Sequence, residues 1–468
     1  PESLRQYLDA FGSHPAFGGF QFDEIHWGNC PCPECLAAFR AWLRGRFSAA
    51  ELIDLGVIRK EMAEIDSLPP PTRDIRDKNL AYHMLGLQWT AEAFSDAAKK
   101  VYDTAHAIKQ DVVIFNLLSP AQVMGGPFDA PVWKLAAVSD MLSLDPYWNG
   151  VPEEAYFMDL IDARMKGPAI LCVGTHYGAR TPKTLARDLA ISYAHCQGVY
   201  IFDWPFAFKQ PPYSKHSSWM GLWQPPGKWD AIMAYAAKAR KLEPYLLDAA
   251  SNSPVALLHS DRSTAADSYK VGVMVTHAGP YTLGQMGLYC LLQQAHLQAD
   301  PHYLDGLDAG TLSRYRVALL HNAISLTPEE EDLLRVWVRN GGRLIATASS
   351  TIRDQWGRQR QNYGLADVFG VKYVATASQP DGATLDAGGE VACSGRFDRV
   401  EAAGGAVKAR FADGAPAVVE NAFGKGACVF IALHDLGGRY VGERRGGEIR
   451  DYFAVHKTFD KGVRPFVV

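Results

Sequence analysis

Between Phe17 and Pro205 the chain repeatedly alternates short apolar runs with longer amphipathic stretches. That alternation is the pattern of parallel strands joined by crossover helices, and it excludes an all-β or all-helical architecture for this half. The apolar runs Phe17–Phe22, Val112–Leu118, Met141–Leu144, Ala169–Val173 and Val199–Phe202 read as strands. The stretches 37–47, 79–109, 153–166 and 182–197 read as the helices between them. A closed barrel of βα units has eight strands, so five imply either three further units upstream of Pro1 or an open sheet.

The strand ends carry the chemistry. In such folds, catalytic side chains sit where strands finish and loops begin. The first run ends at Asp23-Glu24-Ile25-His26-Trp27. Asn116 belongs to the end of the second run, Asp145 with Tyr147 and Trp148 follows the third, His176 and Tyr177 follow the fourth, and Asp203-Trp204 follows the fifth. Carboxylates beside aromatic rings suit a sugar, because the rings cover its apolar face while acids and amides meet its hydroxyls. A single acidic pair after a strand can equally cap the next helix. Five ends in succession with such residues favour a carbohydrate site, with His26, Trp27, Asn116, Tyr147, Trp148, His176, Tyr177 and Trp204 as binding residues and Glu24, Asp23, Asp145 and Asp203 as catalytic carboxylates.

Cys30, Cys32 and Cys35 form C-x-C-x-x-C on the loop after the first strand, close enough in sequence for three thiolates to share one tetrahedral zinc ion. The fourth ligand is either His26 or a residue upstream of Pro1. The remaining cysteines, Cys172, Cys196, Cys290, Cys393 and Cys428, lie in apolar surroundings and read as core. No organic cofactor is expected. A formal net charge of −4, with no basic run longer than Arg444-Arg445, argues against nucleic acid and an anionic membrane as partners. No apolar stretch is long enough to cross a bilayer and no signal peptide is recognisable, so the cytoplasm is the expected location.

A second α/β domain opens at Val255–His259. Tyr315–His321 reads as a buried strand, and Thr327-Pro328-Glu329-Glu330 as a helix start in which Thr327 caps and Glu330 completes a capping box. Gly341-Gly342 ends that helix before the strand Arg343–Ala348. Beyond Val371 short strands and glycine turns dominate. The expected division is 1–250 for the barrel portion and 251–468 for the second domain.

The segment Asp23-Glu24-Ile-His-Trp-Gly-Asn-Cys30-Pro-Cys32-Pro-Glu-Cys35-Leu-Ala-Ala-Phe39-Arg40-Ala-Trp42-Leu43 resembles the region after the fourth barrel strand of glycoside hydrolase family 42 β-galactosidases. Tyr315–Ile345, with Arg353-Asp354 and the Val338-x-x-Gly341-Gly342 helix end, is similar to that family's flavodoxin-like trimerisation domain. The resemblance implies a (β/α)8-type TIM barrel whose strands four to eight are present, Glu24 as general acid/base, structural zinc on the cysteines, a carbohydrate substrate and a homotrimer. Two departures stand out. The family has Asn where this chain has Asp23, and it places a nucleophilic glutamate after the seventh strand, where this chain reads Leu171-Cys-Val-Gly174-Thr175-His176. Asp145 or Asp203 is then the alternative partner of Glu24. Gly19-Phe-Gln-Phe-Asp23 is also similar to the strand of retaining α-glycosidases that ends on a nucleophilic aspartate, so hydrolysis by Glu24 with Asp23, Asp145 or Asp203 stands beside a sugar-binding protein without turnover. The second domain further resembles class I amidotransferase folds, but Cys290 falls in a helix and Cys428 in a strand, neither of which suits a nucleophile elbow.

Overall fold

A computed structural model describes residues 2–15, 17–23, 30–71, 75–118, 132–144, 151–174, 181–195, 198–202, 227–246, 249–267, 279–378, 383–384, 390–391, 396–411, 413–434 and 436. The first sheet holds β1 (Gly19–Asp23), β2 (Val113–Leu118), β3 (Met141–Leu144), β4 (Ala169–Gly174) and β5 (Gly198–Phe202), all parallel and in sequence order. Both faces of such a sheet are covered, which is why its strands read as nearly unbroken apolar runs. One face packs on helices. Phe20, Phe22 and Ile114 meet the helices Glu2–Phe11 and Leu80–Ile108, while Leu142, Leu144, Leu171 and Val173 join the largest core cluster.

The opposite face is concave. The rings of Phe115 on β2 and Tyr200 on β5 lie 5.9 Å apart, although β3 and β4 separate their strands. Neighbouring strands are about 4.8 Å apart, so a flat sheet would hold β2 and β5 roughly 14 Å from one another. The sheet therefore curls as a barrel wall does, and the expected partial barrel is the fold observed.

The helix Leu80–Ile108 spans the outside of this wall. Asn79 caps it by accepting the Tyr82 N–H at 2.9 Å. Gly86 lies in its interior because a Cβ there would stand 2.4 Å from the Pro71 ring.

The second sheet contains β6 (Val255–His259), β7 (Asp300–Tyr303), β8 (Val317–Leu320), β9 (Arg343–Thr347), β14 (Ala406–Arg410), β15 (Pro416–Phe423) and β16 (Gly426–Ile431). Its order is β14-β15-β16-β9-β8-β6-β7, with β16 through β7 parallel and the first two pairings antiparallel. The five parallel strands follow the flavodoxin-like order 2-1-3-4-5. Between β9 and β14 lie the antiparallel pair β10 (Val371–Ser378) and β13 (Arg396–Ala402) and the two-residue pair β11 (Ala383–Thr384) and β12 (Glu390–Val391).

The helix start read from the sequence is realised. Glu330 N–H donates to Thr327 Oγ1 at 3.2 Å and Thr327 N–H donates to Glu330 Oε2 at 2.8 Å. Gly341 follows that helix at φ +123°, a conformation L side chains rarely adopt. Among the described residues no helix is long and apolar enough to cross a membrane.

Candidate functional site: a barrel rim and a cysteine cluster

The five parallel strands of the first sheet finish at one edge, so their C-terminal ends share a rim. Asp23 is the last residue of β1, its backbone in register with Leu117. β3, β4 and β5 end at Leu144, Gly174 and Phe202, immediately before Asp145, Thr175 and Asp203 in sequence. Glu24, His26, Trp27, Asp145, Tyr147, Trp148, His176, Tyr177, Asp203 and Trp204 themselves lie outside the described residues.

Asn116 is placed differently from expectation. It sits inside β2, two residues before the strand ends, and shares a face with Ile114 and Leu118. That is the helix side of the wall. Its amide donates to Ser139 Oγ at 2.7 Å, and Ser139 in turn donates to the Leu135 carbonyl at 2.7 Å. At 4% exposure and with its donor committed there, Asn116 braces β2 against the helix Val132–Leu135 and is not a rim contact.

The cysteine cluster is fully described. The sulfurs of Cys30, Cys32 and Cys35 all lie within 4.8 Å of one another. Zinc–sulfur bonds of about 2.3 Å in a tetrahedron set sulfurs roughly 3.8 Å apart, so the trio needs only slight closure to hold one ion. Local structure explains the convergence. Cys32 is the N-cap of the helix Pro33–Arg46, and Cys35 in its first turn donates its N–H to Cys32 Sγ at 3.4 Å. The Cys32 backbone N–H lowers the pKa of Cys30, whereas hydrogen bonding with Cys32, burial and the neighbouring sulfurs push Cys35 up to about 12. A cation would reverse the penalty on Cys35. Three thiols with no histidine or carboxylate among the described ligands are the donor set of a structural metal site. Behind it, Phe39 and Leu43 are fully buried, with Phe39 5.8 Å from Tyr82 and 5.4 Å from Trp89.

The second domain contains a constellation that the sequence did not reveal. Ser349 follows β9 in the left-handed region at φ +64°, a few residues from Thr351 at +62°. Asp398, fully buried, accepts from Ser349 N–H at 2.6 Å, Tyr363 Oη at 2.7 Å and Thr376 Oγ1 at 2.8 Å, and pairs with His434 Nε2 at 2.8 Å. Burial pushes the Asp398 carboxyl upward, but these partners outweigh it and hold it below its usual range. A serine relay requires serine and aspartate on opposite imidazole nitrogens. Here Ser349 Oγ is nearest the same Nε2, at 3.2 Å, and 3.5 Å from Nδ1. The group is a structural hub. Cys290 and Cys428 are buried in a helix and a strand as expected, with burial raising both thiols; Cys172 is buried in β4.

Residues 254–441 match the family described as the beta-galactosidase trimerisation domain. No curated protein matches the chain. Among solved structures, a cold-adapted β-galactosidase from Rahnella sp. is similar with a TM-score of 0.75 at 17% identity, over 93% of this chain and 69% of that one. A β-galactosidase from Bacillus circulans sp. alkalophilus gives 0.76 at 17% identity, over 92% and 68%. A catalytic mutant of a family 42 β-galactosidase from G. stearothermophilus gives 0.74 at 15% identity, over 93% and 68%. A curled parallel wall followed by a flavodoxin-like sheet thus gives this chain the fold of glycoside hydrolase family 42 β-galactosidases, with residues 254–441 matching the beta-galactosidase trimerisation domain family.

Proposed function

We propose that the chain is a glycoside hydrolase of β-galactosidase type, with its substrate held on the rim of the first sheet. The observation that carries this reading is the coincidence of parallel strand ends with sequence chemistry: β1, β3 and β5 each finish at or directly before a carboxylate, and β4 before Thr175-His176. Glu24 is the general acid/base, and Asp23, Asp145 or Asp203 is the second carboxylate. A separation of about 5–5.5 Å between the working pair gives retention, and about 6.5–9.5 Å gives inversion. His26, Trp27, Tyr147, Trp148, His176, Tyr177 and Trp204 contact the sugar. The cysteine cluster holds zinc in a structural role, and the assembly is a homotrimer. The test is turnover of a nitrophenyl β-galactoside by the wild-type chain and by Glu24→Gln, for which a loss of at least about 100-fold in kcat/KM is expected. An unchanged rate in Glu24→Gln refutes the assignment.

The specific departure at β4 favours a second reading. No glutamate stands in Gly174-Thr175-His176, so a sugar-binding protein without turnover is the alternative. Galactoside affinity without any hydrolysis by the wild-type chain would select it.

A further inference from the structure

Three sulfurs within 4.8 Å of one another can meet a metal, and two of them can also meet each other. Which two are nearer a bond follows from the backbone. Cys30 and Cys32 each precede a proline, Pro31 and Pro33, which biases both toward extended conformation. Cys32 has it, at φ −64° and ψ 153°. An extended run keeps the backbones of residues two apart roughly 6–7 Å from one another, at the outer end of what a disulfide spans.

Cys32 and Cys35 are placed differently. Cys32 is the N-cap of the helix Pro33–Arg46 and Cys35 lies in its first turn, three residues on, a spacing that brings Cβ atoms to about 5–6 Å. The Cys35 N–H donates to Cys32 Sγ at 3.4 Å, so the Cys32 side chain is already folded back over that turn. A disulfide needs Cβ atoms about 3.5–4.5 Å apart, which leaves about 1–2 Å of closure at a helix end. Little opposes that movement. Pro33 brings no N–H to the first turn, and the fully buried positions of the helix begin further along, at Phe39. Solvent reaches the cluster as well: Cys30 is exposed and Cys32 and Cys35 are half-buried, whereas Cys172, Cys290 and Cys428 are buried.

We propose that Cys32 and Cys35 form a reversible disulfide, a modification site that competes with metal for the cluster. The pair rests on this geometry alone; the competition rests on the zinc reading proposed above. A small disulfide such as oxidised glutathione is the oxidant. One protein thiolate attacks it, the glutathione S–S bond breaks and one glutathione thiolate leaves. The second protein thiol, giving its proton to water, attacks the mixed disulfide and expels the other glutathione thiolate, so that two electrons pass from the cysteines to glutathione. Once joined, these sulfurs are no longer thiolates, and Cys30 is the only one of the three left to hold an ion. In the other direction, a bound cation occupies both thiolates and slows the exchange. The helix start stays fastened in either state, by metal or by a covalent bond between its cap and its first turn.

The experiment uses the full chain, metal-free or loaded with one equivalent of zinc, in glutathione buffers of increasing oxidation at fixed pH. Free thiols are alkylated, the peptide carrying residues 30–35 is weighed, zinc release is followed with a chromogenic chelator, and circular dichroism reports the fold. Metal-free wild type is expected to lose two hydrogens from that peptide, to keep one alkylated thiol there and to regain all three in reduced glutathione. Cys30→Ser should close the same pair, whereas Cys32→Ser, which keeps an N-capping oxygen, and Cys35→Ser should close none. Zinc-loaded protein should oxidise roughly 10-fold more slowly, with zinc released in step. An internal disulfide formed in Cys32→Ser or Cys35→Ser as fast as in wild type, or a folded metal-free wild type that stays reduced in fully oxidised glutathione, would overturn the pair. Equal rates with and without bound zinc would overturn the competition. A chain that takes up no zinc refutes the structural metal proposed above, while the metal-free measurement still decides the disulfide.

Discussion

Phe47 and Trp356 meet edge to face, ring centroids 5.7 Å apart, across 309 positions of sequence. Their contact joins the end of the cysteine-bearing helix to the loop after β9. Nearby, Arg358 pairs with Asp54 at 2.6 Å, both side chains well exposed. These two links differ in kind. Trp356→Ala removes a large ring packed on a buried cluster and should cost about 2–3 kcal/mol in urea unfolding. Arg358→Ala breaks a screened surface pair and should cost at most about 1 kcal/mol. Equal losses would show that charge, not ring packing, holds this joint.

Metal removal should act on stability before chemistry. Cys32 caps the helix Pro33–Arg46 and Cys35 lies in its first turn, so an ion on the cluster fastens the start of a helix whose other face is core. Purified chain should carry about one zinc per molecule, and a chelator or Cys35→Ser should lower the melting temperature. Loss of turnover in chelated protein that remains fully folded would instead make the metal catalytic.

Acid should unfold this protein through its histidines. Burial, the dominant cause, lowers both His259 and His302 to about 4, against roughly 6.5 in an unfolded chain. A group depressed on folding favours its neutral form, so this stability is complete above about pH 6.5 and is lost as pH falls toward 4, by up to roughly 3 kcal/mol for each. His195 has the opposite sign. Burial lowers it, but the hydrogen bond and charge of Asp159 outweigh this and raise it, so its contribution is full below about pH 6.5 and fades as pH rises through its folded value. Urea midpoints between pH 7.5 and pH 4 (about 0.5-unit steps) check this. A His302→Gln protein should show a shallower acid limb, and an unchanged one would refute the assignment.

At position 86 two effects compete. Alanine is better than glycine in a helix interior by about 1 kcal/mol, but the new methyl would overlap Pro71. Overpacking typically costs about 1–3 kcal/mol, so Gly86→Ala should be neutral to destabilising, and a rise in melting temperature would show that the 62–71 segment yields freely.

The hub at Asp398 gives a sharper contrast. His434→Ala takes from the buried Asp398 carboxylate a hydrogen-bond partner at 2.8 Å and should cost about 1–3 kcal/mol. Ser349→Gly keeps the backbone N–H that Asp398 accepts and relieves a left-handed residue, so it should be neutral or stabilising by up to about 1 kcal/mol. Strong destabilisation by Ser349→Gly would mean that the Oγ matters more than its geometry indicates.

What the sequence showed and what it hid follow from distance along the chain. Strands β1 to β5 and the Thr327 capping box were legible because their signals are local: an apolar run between helices, and two side chains three residues apart. Asn116 was misplaced because its type said sugar while its phase within β2, which decides the face, depends on a register set by Phe22 and Leu142 on the neighbouring strands. The Ser349–Asp398–His434 hub and the Tyr156–His259 contact were invisible, since their members lie 49, 36 and 103 positions apart. Arg353, legible as part of a resemblance, proves to bind the carbonyls of Gly357 and Ala266, tying its loop to the helix Asp261–Ala266.

The ring pair Phe115 and Tyr200 has one more consequence. Two partly buried aromatic side chains meet across the hollow of the curved wall and fill part of it. The inner face of the wall is thus occupied by side chains at the level of Phe115. On the proposed function, changes of specificity belong to the loops at the strand ends, and changes at Phe115 or Tyr200 register as stability.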